Sequence, residues 1–255
     1  MTLGCIVQAR LGSTRFPSKI TQTIDDKSTV LDYVIDQTLC SKNIENLVIA
    51  TTILDEDDSI VDFTNTKNIP CFRGHPTDVL DRYYQCAKKF SFSTIVRITS
   101  DCPLVDPTII DQAVGIFQNN SYDYVSNVHP ITFPVGIAVE VFSFESLENA
   151  WKNAKLPSER EHVTPFLYNN NQLFKIFNIE NSQNTSSIRI TVDYPHDLDL
   201  IRQIASKIDS RPILLSDILN LYSKEPKMFE LNNIHDADEG YLKSLENDKS
   251  FLKSY

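Results

Sequence analysis

The chain is defined first by what it lacks. No apolar run approaches the ~20 residues of a membrane-spanning helix. The N-terminus has no charged-then-apolar signal pattern, because Gly4 and Gln8 lead straight into Arg10. The five cysteines (Cys5, Cys40, Cys71, Cys86 and Cys102) are an odd number without a Cys-x-x-Cys pair, which argues against structural zinc and a disulfide framework. A cytoplasmic location is the expectation. No basic stripe relieves a net charge of -10, so a nucleic-acid partner is not expected. Internal repeats and long linkers are missing too. What remains is an ordinary globular composition, 41% apolar and 23% charged, over 255 residues. One large α/β domain with an appendage is the expectation at that length.

Against the acidic background, residues 3–20 reverse the sign. Leu3 to Val7 reads as a strand covered on both faces. A turn through Gly12, Ser13 and Thr14 follows, and Arg10, Arg15 and Lys19 all precede the first acidic residue, Asp25. Three cations, small residues and free backbone N–H groups at a strand end suit a polyphosphate. The segment reads as a nucleotide triphosphate loop.

Strand and helix patterns then alternate. Helices are expected over Thr29 to Cys40, opened by a Thr29/Asp32 capping box, and over Asp55 to Thr66 and Thr77 to Phe90. Strands are expected at Leu47 to Ala50, Pro70 to Phe72, Ile95 to Thr99, Tyr122 to Ser126 and Ala138 to Phe142. Asp106 and Pro107 open a further helix. Such alternation implies a mostly parallel sheet with helices on both faces. Ligands bind such sheets at the carboxyl ends of the strands, which brings the basic loop and Asp101 together. In the second half, Ser158 and Glu161 form a candidate capping box for a helix running to about Tyr168. Phe174 to Ile179 and Ile188 to Val192 read as strands of a smaller β subregion. Pro195 to Ile208 and Pro212 to Tyr222 read as helices, and the last thirty residues as a polar segment for packing or oligomer contacts.

At this point the sequence resembles a known family. Residues 9–19, ARLGSTRFPSK, are similar to the signature loop of sugar-acid cytidylyltransferases. DVLDRYYQCAKKF (78–90), RITSDCPLVDP (97–107), EVFSFESLENAW (140–151), EREHVTPFLY (159–168) and RITVDYPHDLDLI (189–201) resemble the same group in order. The nearest likeness is to the spore-coat polysaccharide biosynthesis protein F group, relatives of the keto-deoxy-octulosonate (KDO) and acylneuraminate enzymes. It covers about residues 3–205. The resemblance implies a Rossmann-like nucleotide-diphospho-sugar transferase fold over residues 1–225. An acceptor or dimerisation subregion would fall at about 128–190 and a polar extension at 226–255.

It also implies roles. Arg10, Arg15 and Lys19 would hold the triphosphate, for which guanidinium forks and a mobile ammonium are suited. Ala9, Gly12, Ser13 and Ser100 would border the nucleotide. Arg73, Asp78 and Arg97 stand in similar segments and would reach the nucleotide or sugar, although structural ion pairs explain them equally well. Asp101, at a strand end before Pro103, offers the hard oxygen that Mg²⁺ prefers, and the resemblance makes Asp193 the second carboxylate. Glu140 and His162 lie where relatives bind the acceptor. Cys102 has no paired base and reads as buried. Three positions depart from the pattern. Ser18 and Ser100 replace common glycines, which is tolerable at negative φ. Ala138 stands where relatives often carry Asp.

The expected activity is transfer of CMP from CTP to a 2-keto sugar acid, nonulosonic or octulosonic, with release of pyrophosphate, for surface polysaccharide or glycan synthesis. Lys19, Arg10 and Asp101 are the expected catalytic residues. The partners would be the nucleotide and the sugar acid, and the resemblance implies a homodimer. The alternatives are a nucleotide-sugar-dependent glycosyltransferase and a non-catalytic nucleotide-binding homologue. For the former, Asp55-Glu56-Asp57-Asp58 contains the usual Asp-x-Asp metal pattern but reads as a solvated helix cap.

Overall fold

The computed structural model describes residues 2–232 and 239–253. Its first strand, β1 (Leu3–Gln8), lies between two parallel neighbours, β2 (Leu47–Thr52) and β4 (Thr94–Thr99). Cys5 faces Leu47 on one side and Val96 on the other. Side chains alternate across the sheet. Cys5 and Val7 enter one hydrophobic core and Ile6 the other. The near-continuous apolar run of β1 is explained by these two covered faces.

Between the strands run α1 (Val30–Leu39), α2 (Asp58–Thr66) and α3 (Val79–Lys89), with β3 (Cys71–Gly74) at one sheet edge. The Thr29/Asp32 capping box forms: the Asp32 amide donates to Thr29 Oγ1 at 3.2 Å, and the Thr29 amide donates to Asp32 at 2.8 Å. After β4 come α4 (Pro107–Asn119), capped by Asp106 as expected, β5 (Tyr124–Ser126), β6 (Glu140–Ser143) and α5 (Phe144–Asn153). Two short helices, α6 (Pro157–His162) and α7 (Pro165–Asn169), lead to β7 (Ile176–Asn178). The described chain then continues through α8 (Pro195–Lys207), α9 (Leu215–Lys224), α10 (Pro226–Phe229) and α11 (Glu239–Leu252).

Among the described residues, seven strands form one sheet in the order β3-β2-β1-β4-β6-β5-β7, with β6 antiparallel to both neighbours and every other pair parallel. The mostly parallel expectation therefore holds. A separate β subregion does not form among the described residues: β7 extends the main sheet instead. The Ile188–Val192 stretch is not a strand. It is extended but makes one bridge, Val135 to Arg189, with Ile190 donating to the Val135 carbonyl at 2.8 Å. Its partner segment contains Pro134, which has no N–H to extend a ladder. It also contains Gly136, whose φ of +112° and close approach to the Ile190–Thr191 backbone leave no room for a Cβ.

The helix expected from Ser158 to Tyr168 is broken in two. Val163 takes φ 73° at the break. The N-terminus of α6 is capped by Glu159, whose carboxylate accepts from the Leu156 amide at 3.0 Å, so the Ser158/Glu161 box is not used. Sequence reading also passes over α5, where Ser143 accepts from the Ser146 amide at 2.9 Å as an N-cap. The expected polar extension 226–255 is helical where described, in α10 and α11; residues 233–238 and 254–255 fall outside the described part.

Candidate active site

The basic loop leaves the C-terminal end of β1 and is tied down at its base. The Leu11 amide donates to Asp57 Oδ1 at 2.7 Å, while Asp57 Oδ2 accepts from the Thr52 hydroxyl. Asp57 is completely buried, so the acidic run at 55–58 is not simply a solvated cap. Leu11 in turn accepts at its carbonyl from the amides of Ser13 (2.7 Å) and Ser18 (3.0 Å). Ser18 sits at φ 55°, ψ 27°, in the left-handed region that the missing glycine would have occupied without cost. The expectation of negative φ fails here and holds at Ser100, which is not among the positive-φ residues.

This bend points Lys19 inward. Its ammonium donates to Asp101 Oδ2 at 3.0 Å and to Asp193 Oδ1 at 2.8 Å. Burial disfavours the Lys19 charge, but the two carboxylates outweigh it and raise its pKa. Burial likewise works against the Asp101 carboxylate. Lys19 and the Thr99 hydroxyl, 2.5 Å from Asp101 Oδ1, hold its pKa well below the usual range. Both groups are therefore charged at neutral pH. Asp193 also accepts from Arg15 at 2.6 Å and from Arg189 at 2.9 Å. Arg189 is buried and reaches Asp197 as well, and the Asp197 carboxylate receives the amides of Asp193 and Tyr194, each at 2.8 Å. Sequence reasoning missed Arg189: its segment reads as a strand, in which residues four apart do not meet, so the spacing to Asp193 carried no signal.

A cleft of about 600 Å³ opens beside this cluster, lined by Ala9, Arg10, Ser13, Arg15, Lys19 and Ser100, and by Arg82, Arg97, Asp101 and His162. A second cavity of about 270 Å³ adjoins it, with Arg97, Asp101 and His162 common to both, and with Ala138, Glu140 and Asp193 in its own wall. Asp101 and Asp193 both face this second space, so Ala138 does not leave it without carboxylates.

Glu140 is less free than expected. Its carboxylate is paired with Arg97 and accepts from Tyr124 and Thr164, both at 2.6 Å. Burial opposes its charge, yet Arg97 and the two hydroxyls keep its pKa low. Its visible work is to hold Arg97 at the junction of the two spaces, where Arg97 Nε is buried without a hydrogen-bond partner among the described residues. Burial lowers the pKa of His162, against the opposing pull of Glu161. Cys102 is a buried thiol pushed up to about 12 by burial and by Asp101, which suits packing and not nucleophilic attack.

Three candidates lie outside the cleft. Arg73 donates to the carbonyls of Thr52 (3.0 Å) and Leu54 (2.9 Å) and pairs with Asp58. Asp78 caps α3 and pairs with Arg160 at 2.5 Å. Gly12 packs beside Glu56. For Arg73 and Asp78 the structural ion pair is the observed role. Sequence reasoning also missed the wall formed by α11, whose Gly240, Lys243, Ser244 and Asn247 line the cleft.

The loop, the aspartates and the cavity walls that precede α11 lie within a single sequence-family match: the model of the cytidylyltransferase family covers residues 4–231. The chain belongs to the cytidylyltransferase family. It is a CTP-dependent nucleotidyltransferase. Among similar proteins is the spore coat polysaccharide biosynthesis protein SpsF of Bacillus subtilis, 29% identical over 231 residues, covering 87% of this chain and 94% of that one. A 3-deoxy-manno-octulosonate cytidylyltransferase of Trichlorobacter lovleyi is 31% identical over 123 residues, 47% of this chain and 46% of the other. A solved cytidylyltransferase structure from Leptospira borgpetersenii superposes with a TM-score of 0.87 at 32% identity, covering 92% of this chain and 100% of that one.

Proposed function

We propose that this cytidylyltransferase joins CMP from CTP to a 2-keto sugar acid of the nonulosonic or octulosonic type, releasing pyrophosphate, in the synthesis of a surface polysaccharide. The observation that carries this reading is the meeting of Lys19, Asp101 and Asp193 where two adjoining cavities share a wall. The larger cleft has the cations for a triphosphate. The smaller cavity, with Arg15 and Arg97 in its wall beside Asp101 and Asp193, is the adjoining space for the acceptor. SpsF, a similar protein, is named for polysaccharide biosynthesis, and another relative for transfer to an octulosonate.

In this reading the acceptor hydroxyl attacks the α-phosphorus, a new P–O bond forms, and the bond to pyrophosphate breaks as the hydroxyl proton departs. Such transfer depends on positioning and charge stabilisation rather than covalent help from protein. Arg10, Arg15 and Lys19 bind the triphosphate and offset charge on the leaving pyrophosphate. Asp101 and Asp193 approach one ammonium within 3.0 Å and 2.8 Å, and two hard oxygen donors converging on one point fit Mg²⁺ with substrate phosphate as a further ligand. That ion would neutralise phosphoryl charge when bound. Lys19 and Arg15 then exchange their carboxylate partners for phosphate oxygens.

The test is pyrophosphate release with the four ribonucleoside triphosphates crossed against a panel of 2-keto sugar acids. Release with CTP and one such acid is expected; CTP binding with no release from any acid would overturn the acceptor assignment. Lys19→Ala should lower turnover ~10²–10³-fold, the loss typical of one electrostatic stabiliser. A folded variant with unchanged turnover would remove Lys19 from the mechanism.

A further inference from the structure

The region matched to the family ends at residue 231, but the wall of the nucleotide cleft does not. Helix α11 presents Gly240, Lys243, Ser244 and Asn247 to it. These are spaced i, i+3, i+4, i+7, which is one helix face. Two anchors fix that face. Asp248 accepts from the Ser158 amide at 2.9 Å and from its hydroxyl at 2.5 Å, at the N-terminus of α6. Ser244 bonds Glu161 at 2.7 Å and His162 Nε2 at 2.9 Å. The helix also reaches the triphosphate loop. A Cβ on Gly240 would lie 3.8 Å from Arg15 Nη1, an ordinary van der Waals distance that places the first turn of α11 beside the guanidinium. Lys243, one turn further on, is exposed to the cleft that Arg10, Arg15 and Lys19 line, and among the described residues no carboxylate forms an ion pair with it.

We propose that α11 is part of the nucleotide site and that Lys243 supplies a further cation to the β- and γ-phosphates of CTP. The inference rests on the CTP-dependent reading above. It makes a segment beyond the family region a determinant of nucleotide affinity, acting by direct charge contact on an anchored helix.

Titration calorimetry with CTP and with CMP separates the outcomes, using wild type, Lys243→Ala, Lys243→Arg and, as a control on the same helix, Lys249→Ala. Lys243→Ala should weaken CTP about tenfold, the value of one charge-assisted contact, and CMP less than about twofold. Lys243→Arg should recover most of the loss, and Lys249→Ala should match wild type. Wild-type affinity for CTP in Lys243→Ala would overturn the proposal. So would equal weakening of CTP and CMP, which would mean that the lysine does not act on the outer phosphates. Wild type that binds no CTP would overturn this inference together with the reading beneath it.

Discussion

At the scale of single residues, backbone strain at Ser18 stands out. It holds a left-handed conformation immediately before Lys19, with no side-chain cap to compensate. Ser18→Gly should raise unfolding stability by about 0.5–1 kcal/mol, the steric relief exceeding the extra entropy of glycine in the unfolded chain. Denaturant melts would check it, and an unchanged or lowered midpoint would show that the turn is not strained. Residue by residue, the legible part of the site was the part whose meaning is local. Lys19 and Asp101 each follow a strand and stand beside a proline or a turn, and both reach the cleft. Arg189 and Asp57 were not legible, because their roles depend on partners that folding brings near: Asp57 supports the loop 46 residues away. For Arg73 and Asp78 the sequence left nucleotide contact and structural ion pair as equal readings, because a charge for phosphate or sugar and a charge for a protein partner look alike in sequence; the ion pairs are what the fold forms.

At the scale of elements, the strands and helices of the first half were readable to within a few residues. Their apolar pattern is complete and their caps are adjacent in sequence. The Ile188–Val192 stretch has an equally good strand pattern but no continuous partner, and a ladder needs both. The docking of α11 depends on contacts across 82 to 90 residues. His162 sits at that docking site, with Glu161, Arg97, Glu140 and Asp248 around it. Its folded pKa is depressed, so its contribution to stability is complete above the unfolded value of about 6.5 and is lost as pH falls through the folded value. Acidification from pH 7 should therefore loosen α11 before the sheet. Amide exchange as a function of pH would show earlier loss of protection in α11, and His162→Gln should flatten that dependence. Uniform loss across the sheet and α11 would contradict it.

On the scale of the whole molecule, the chain sets a local cluster of cations within a net charge of -10. The far field repels a nucleotide triphosphate while the near field attracts it. Added salt screens both, but the contacts in the cleft lie well inside the Debye length of ~10 Å at 0.1 M, and the far field does not. At low ionic strength, salt should first speed CTP association and then, at higher concentration, raise KM as the contacts weaken. A stopped-flow and steady-state series from low to high salt would reveal this biphasic response; a monotonic rise in KM with a falling association rate would show that the cleft alone governs approach.

The Lys19–Asp193 and Arg15–Asp193 contacts also have a kinetic meaning. They join groups 174 and 178 residues apart, beside a sheet whose central pairs are themselves distant. Contacts of such separation form late and slowly, after the loop-closure entropy between them has been met. Helices and the local β–α units can form while these ends remain unjoined. On refolding, recovery of CTP binding should therefore lag behind recovery of the far-ultraviolet circular dichroism signal. During synthesis, the proposed triphosphate site would be complete only once the ribosome has delivered Asp193.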